Sequence, residues 1–498
     1  MMRDIAKGAA WMVLFRLVDR SVGIISTSIL ARLLLPADFG LVAMAMSIIA
    51  LIELATAFSF EIALIQKPEP EREHFDTAWT LNILVAGGGA VLTGALAYPA
   101  AAFFGDPRLA AVMFAIGAAW FVSGFENVGT VNFRRQMDFA AEFRLMASKR
   151  MITFVVTMAA AIAFRSYWAL VIGMSTGKLA GVALSYFMQP FRPRFSLKCA
   201  RELFSFSGWM LANNMAAVVA SRVPHFAVGR FFGAQSLGAY TVGSEISQIA
   251  HTELIAPINR ALFPGYSRLI NDPVTFRRTC IDATAVILLI VLPVSIGVAV
   301  VAEQIVRVLL GSQWGEAAPI IQILALSGAA MAVSSNNVQV FLALGRPHLF
   351  TLVLATRLVL LAGMMLVLST SHGVTGLAFA ELFASVGSLG MSLPLVFKGL
   401  QLRARDYFAS FWRPLIASCV MGAAVYLTNR ATGAPETFLM AVLELLLSVP
   451  VGAASYLLSL WLLWQAAGRP ASVETMLGRR ALETLKKLTT RKPLRASE

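Results

Sequence analysis

The sequence is poor in the groups that most chemistry needs. Only 14% of its 498 residues are charged, against the roughly 25% of an ordinary soluble domain. Three cysteines, Cys199, Cys280 and Cys419, lie far apart, which excludes a disulfide framework and any metal-ligand spacing. The five histidines form no His-Glu-x-x-His pair and no Cys/His cluster. No Gly-rich loop ends in Gly-Lys-Ser/Thr, so nothing in the sequence cradles a nucleotide phosphate. No run of about 10 residues alternates strictly, which excludes a membrane β-barrel. A catalytic constellation, a metal and a cofactor are therefore all unexpected.

What the chain has in abundance is apolar surface. Hydrophobic residues make up 58% of it and the mean hydropathy is +0.73. A spanning helix needs about 20 mostly apolar residues. Hydropathy predicts spans at 8–34, 38–66, 77–104, 108–131, 143–164, 167–188, 204–232, 236–262, 280–302, 317–344, 347–369, 374–397, 407–428 and 437–466. The fold class is thus an all-α polytopic membrane protein of about 14 helices. The first apolar run, broken by Arg16, Asp19 and Arg20, lacks a small-residue cleavage site and reads as a retained helix.

Basic residues orient these spans. With the N-terminus placed in the cytoplasm, inside segments carry 28 Lys and Arg and outside segments carry 6. That asymmetry puts both termini inside, and it accounts for the net charge of +14 without nucleic acid.

An internal repeat appears at an offset of 198. Trp11-Met12 matches Trp209-Met210, Arg32 matches Arg230, Gly40 matches Gly238, and Ala63-Leu64 matches Ala261-Leu262. The stretch from Ala31 to Gly40 lies over Gly229 to Gly238 without a gap. Six spans separate matching helices, an even number, so the two copies share one orientation. The expected organisation is an N-terminal lobe over 1–200, a C-terminal lobe over 201–400, two extra spans over 401–468, and a tail over 469–498. In the tail Val473, Leu477, Ala481, Leu485 and Leu488 keep a helical period among Arg479, Arg480, Lys486, Lys487 and Arg491. That pattern predicts a basic amphipathic helix on the inner leaflet.

Ionisable residues inside spans are costly, by about 2.5–3.5 kcal/mol each on insertion scales, and are the natural candidates for function. Arg16 and Arg20 share a face of span 1, with Asp19 beside them. Glu53 sits near the middle of span 2, and His251 falls on it when the repeats are superposed. Arg222 and His225 lie in span 7, Glu245 and Glu253 flank His251, and Lys178, Arg357 and Glu381 lie in spans 6, 11 and 12. Each could equally serve an internal ion pair, such as Arg16–Asp19 or Arg20–Glu53. Asn213, Asn214, Gln248, Asn336, Asn337 and Gln339 could bond a polar cargo or neighbouring helices. Glu61 and Glu126 fall near span ends and read as interfacial. Gly87-Gly88-Gly89 reads as close helix packing, and Pro224, Pro257 and Pro293 as bends.

The Arg-x(3–4)-small-x-[Asp/Ser]-[Phe/Leu]-Gly junction after span 1 recurs after span 7, and Leu344-Gly345-Arg346-Pro347 precedes span 11. With Asn132-Phe133-Arg134-Arg135-Gln136-Met137-Asp138-Phe139 and Tyr167-Trp168-Ala169-Leu170-Val171, this pattern resembles the polysaccharide exporters of the MOP superfamily. It is most similar to the WzxC/ExoT branch of Wzx-type lipid-linked oligosaccharide flippases. The resemblance implies translocation of a polyprenyl-diphosphate-linked oligosaccharide across a bacterial inner membrane by alternating access of two lobes. It implies membrane lipids as surroundings, with a polysaccharide polymerase and a chain-length regulator as pathway partners.

In that frame Arg16, Arg20, Arg222, His251, Arg357 and Lys178 are candidates for the substrate. Asp19, Glu53, Glu245, Glu253 and Glu381 are candidates for ion coupling. A cation-coupled drug exporter of the same fold is an alternative, as is a membrane glycosyl-polymerase or ligase. The short outside connections leave such an enzyme little room for a catalytic loop.

Overall fold

The computed structural model describes residues 2–55, 60–67, 69–250, 253, 255–433 and 437–469. Side chains are described for these except 2–10, 13, 55, 62, 66, 204–220, 250, 256, 261, 369 and 370. His251, the side chains of Trp209, Asn213 and Asn214, and the amphipathic tail therefore lie outside the described residues.

Every regular element among the described residues is helical. The chain runs through α1 (Met2–Leu33), α2 (Pro36–Ala55), α3 (Phe60–Gln66), α4 (Arg72–Phe104), α5 (Arg108–Ser123), α6 (Val131–Arg135), α7 (Phe139–Phe164) and α8 (Trp168–Met188). It continues through α9 (Ala200–Ala250), α10 (Ala256–Arg268), α11 (Pro273–Val300), α12 (Ala302–Ile305), α13 (Ala317–Ala343) and α14 (Pro347–Leu400). The last elements are α15 (Ala404–Ala409), α16 (Trp412–Thr432) and α17 (Phe438–Ala466). Among the described residues nine helices are long and apolar enough to cross a membrane, or ten if one bent pair counts as a span.

Local chemistry explains the ends. Gly105, at φ +74°, closes α4 in the left-handed conformation that glycine alone adopts without cost. Asp138 and Asp272 cap α7 and α11 by accepting from the amides of Ala141 and Thr275. Two expected span pairs merge into continuous helical runs broken only at glycine. Spans 7 and 8 join in α9 with the break at Gly233 (φ +77°), and spans 11 and 12 join in α14 with the break at Gly373 (φ +59°). Hydropathy separated these spans correctly but assigned a loop where a single glycine makes the turn.

Two compact units emerge. One holds residues 1–242 with 309–317, and the other holds 243–308 with 318–498. The core of the first centres on Phe60, Leu64, Phe75, Trp79, Leu81 and Val131. That of the second centres on Tyr266, Phe276, Val340, Phe341 and Val396. In the second unit Tyr456 of α17 donates to the Leu289 carbonyl of α11. This bond fastens the last span to the unit's body.

Candidate functional site

In the first unit the two junctions of the repeat meet. A Cβ on Gly40 would stand 1.7 Å from the Ala234 carbonyl oxygen, and one on Gly238 would stand 1.8 Å from that of Pro36. Each glycine thus packs on the backbone of the other junction, in a reciprocal contact that no side chain fits. Trp314, fully buried, donates from Nε1 to the Ala31 carbonyl at 2.7 Å and meets the Phe39 ring edge-on at 5.1 Å. Gln313 adds bonds to the Ala31 and Leu34 carbonyls. Asp38 accepts from the Tyr167 amide at 3.0 Å. The result is a dense clasp between the two junctions. Beside it Arg108 bonds Asp106 at 2.7 Å and holds that carboxyl below its usual range.

The opposite half of this unit is open. The fourth span is not one helix: α5 stops at Ser123, and Val128–Arg135 leaves at 65° to it. Asn127 builds the corner. It is fully buried, caps the Gly129 amide, and donates to the Gln189 and Phe191 carbonyls beyond α8. Gly124 lets α5 touch α4, where a Cβ would stand 2.7 Å from that of Ala86. A cavity of about 300 Å³ opens at this corner, lined among others by Glu53, Glu61, Asn82, Trp120, Ser123 and Glu126.

Basic groups stand against the carboxylates. Arg134 lies 3.7 Å from Glu61, Lys149 lies 3.8 Å from Glu126, and Lys178 is within electrostatic reach of Glu53. Arg134 makes its shorter bond, 2.6 Å, to Glu142. Of these residues only Glu53 and Lys178 stood among the sequence candidates; Glu61 and Glu126, expected near span ends, also line the cavity. The signal was Gly124, Glu126 and Asn127 close together inside an apolar run, a breaker and two polar groups where a straight helix wants neither.

The other candidates fall as follows. Asp19 pairs with Arg150 of α7 at 2.9 Å. Arg16 and Arg20 are half-buried on α1. Arg222 is half-buried on α9, and its buried Nε has no hydrogen-bond partner among the described residues. His225, one turn on, meets Tyr240 edge-on at 5.5 Å. In the second unit Glu245 and Gln248 are exposed and Glu253 is half-buried. There Arg357 and Glu381, expected in separate roles, are bonded to each other. Asn336 and Asn337 are fully buried and bonded within the unit, Asn336 to Tyr266 and Thr284 and Asn337 to Ser392. Gly89 accepts the Trp120 ring, since a Cβ there would lie 2.5 Å from it, as close packing predicted.

A bundle of this kind, with a broken span and half-buried arginines inside the helices, defines a multi-pass membrane protein of transporter architecture. The chain belongs to the polysaccharide biosynthesis protein family, whose model matches residues 29–319. It is 23% identical over 342 residues to the succinoglycan biosynthesis transport protein ExoT of Rhizobium meliloti (strain 1021), covering 67% of this chain and 68% of that one. It is 23% identical over 430 residues to the lipopolysaccharide biosynthesis protein WzxC of Escherichia coli (strain K12), covering 82% of this chain and 85% of that one. The lipid II flippase MurJ in an inward closed conformation superposes with a TM-score of 0.71 over 92% of this chain and 100% of its own, at 12% identity. At that identity the superposition shows a shared fold.

Proposed function

We propose that this protein carries a polyprenyl-diphosphate-linked oligosaccharide from the inner to the outer leaflet of a bacterial inner membrane, with both termini cytoplasmic. The observation that carries the reading is the family match over 29–319 together with full-length similarity to the fold of a lipid-linked precursor flippase. Half-buried arginines inside spans support it. A diphosphate needs compensating charge to pass an apolar interior, and Arg16, Arg20 and Arg222 supply permanent charge with planar donor forks. The lipid tail stays in the bilayer while the head group passes between a lobe over 1–200 and a lobe over 201–400.

Closing the outside end falls to the Gly40–Gly238 clasp, which must part for release. Glu245 and Glu253 are the carboxylates offered for coupling to an ion gradient. Arg357 and Glu381 are bonded to each other and belong to the framework. The protein makes and breaks no covalent bond, and the polymerase that consumes its cargo acts after it.

The test is Arg16→Ala, Arg20→Ala and Arg222→Ala in the native host, with protein level measured beside polymer export. The expected outcome is normal protein, lost polymer, and lipid-linked repeat units accumulating on the inner leaflet. Normal export in all three variants overturns the cationic-site reading.

A further inference from the structure

We propose that the cavity at the break of the fourth span seats one neutral sugar ring of the carried oligosaccharide. The inference rests on the flippase reading and adds to it a place for the sugar apart from the diphosphate. Four observations lead to it.

The first is the break itself. Non-helical backbone at membrane depth is tolerated where it is buried in protein or lines a wet cavity, and broken helices mark substrate sites in transporters. Here the corner built by Asn127 does both, and the 65° bend makes the space. Its volume, about 300 Å³, lies at the small end of small-ligand pockets.

The second is the chemistry of the wall. Carboxylates, an amide and a hydroxyl offer many acceptors and few donors, which is the complement of a ring rich in hydroxyl donors. Trp120 adds a large apolar body whose position is fixed by its seat on Gly89. A sugar ring presents both kinds of surface, hydroxyls at its rim and C–H groups on its faces.

The third is charge balance. Three carboxylates at the wall, Glu53, Glu61 and Glu126, stand near three bases, Lys178, Arg134 and Lys149, and Arg134 is shared with Glu142 behind it. The surroundings are strongly polar, with four carboxylates to three bases. A diphosphate would meet three carboxylates at the wall, and a bare cation would meet carboxylates already opposed by bases.

The fourth concerns ligand geometry. A bound cation needs several oxygens converging at about 2.0–2.6 Å. Among the described residues no three acidic, histidine or cysteine side chains converge closely enough to hold a metal ion. The cavity spreads its carboxylates over α2, α3 and the corner after α5 instead. Spread acceptors around a ring-sized space suit a polyol.

The experiment uses the full chain, purified in detergent, and follows intrinsic tryptophan emission on titration with D-glucose, D-galactose, N-acetyl-D-glucosamine, sodium chloride and sodium pyrophosphate. Expected is a saturable change with at least one of the three sugars and none with the salts at matched ionic strength. The change disappears in Trp120→Phe, which separates this indole from the other tryptophans. In Asn82→Ala and Glu126→Gln the same sugar binds about fivefold more weakly, the loss of one net hydrogen bond. Elution profile and thermal midpoint establish that each variant is folded, and Asn82→Ala carries the test if Trp120→Phe is not.

A saturable response to sodium with none to sugars overturns the proposal in favour of a cation site. A sugar response left unchanged by all three substitutions overturns it by placing the sugar elsewhere, and no response to any sugar overturns it outright. Accumulation of lipid-linked units in the arginine variants is a separate readout, so this inference can fail while the flippase reading stands.

Discussion

The fourth span and its partner in the repeat, the tenth, part company. In the first unit the span stops at Ser123, turns by 65° and leaves a cavity whose ion pairs sit at 3.7 and 3.8 Å. In the second unit α13 runs unbroken through 27 residues, its Asn336 is bonded to Tyr266 and Thr284, and the Asn337 amide nitrogen donates to Ser392. The same unit closes Arg357 on Glu381. Polar groups bonded to each other specify packing, whereas polar groups held apart around a space remain available to a guest. On the proposed reading, the buried polar groups of the second unit hold the framework and those at the corner of the first bind the guest.

The largest effect should come from breaking the framework pair. Glu381→Ala leaves Arg357 without its carboxylate inside a span and should cost about 3 kcal/mol in thermal unfolding in detergent. The double variant Arg357→Met/Glu381→Leu should recover much of that stability and keep transport. Loss of transport with stability restored would move the pair from framework to function.

Next come the glycines of the clasp, where the two copies of the repeat agree. Gly40→Ala and Gly238→Ala each force a Cβ onto a carbonyl oxygen and should each cost about 2 kcal/mol. Gly88→Ala, in open space, should cost nothing measurable and serves as the control. Unequal costs for the two clasp glycines would break the reciprocity seen in the structure.

A smaller stability change is expected at the cavity. Lys149 and Glu126 are more than one-third exposed, so Lys149→Ala should change stability by less than about 1 kcal/mol. Transport should fall nonetheless. A stability loss equal to that of Glu381→Ala would erase the distinction between the two units.

The smallest effect concerns pH beside the clasp. The Arg108 bond holds the Asp106 carboxyl below its usual range, so the native state favours its ionised form. That contribution is fully present above the unfolded carboxyl value, near 3.8, and is lost as pH falls through the lower folded value. Thermal midpoints should be level in this respect from pH 8 to about pH 5, and the acid-side decline should be shallower in Asp106→Asn. An identical acid decline in that variant would show the carboxyl to be uninvolved.

Much of this fold was legible in the sequence. Because burial in lipid demands long apolar runs, hydropathy located the nine helices, or ten with the bent pair, that among the described residues are long and apolar enough to cross a membrane, and the offset of 198 paired Gly40 with Gly238 before the two were seen to touch. The corner at Gly124–Asn127 was not legible as a site. Hydropathy averages composition over a window, whereas this bend depends on one amide side chain reaching carbonyls more than 60 residues away. Glu61 and Glu126 were read by depth alone, as interfacial. Facing is set by tertiary packing, here by Gly124 against α4, which no local pattern reports. The same limit hid Arg150 as a partner of Asp19, since helix periodicity pointed only to near neighbours such as Arg16.

The central claim is that this protein moves a sugar-bearing lipid diphosphate between leaflets, and reconstitution tests it most directly. Proteoliposomes containing an undecaprenyl-diphosphate-linked oligosaccharide are exposed to a membrane-impermeant glycosidase, and the digested fraction is followed in time. With the protein present, digestion should proceed past the outer-leaflet share to the whole pool. Arg222→Ala should halt it at that share. Digestion that stops at the outer-leaflet share with the wild-type protein, as in empty liposomes, would contradict the account.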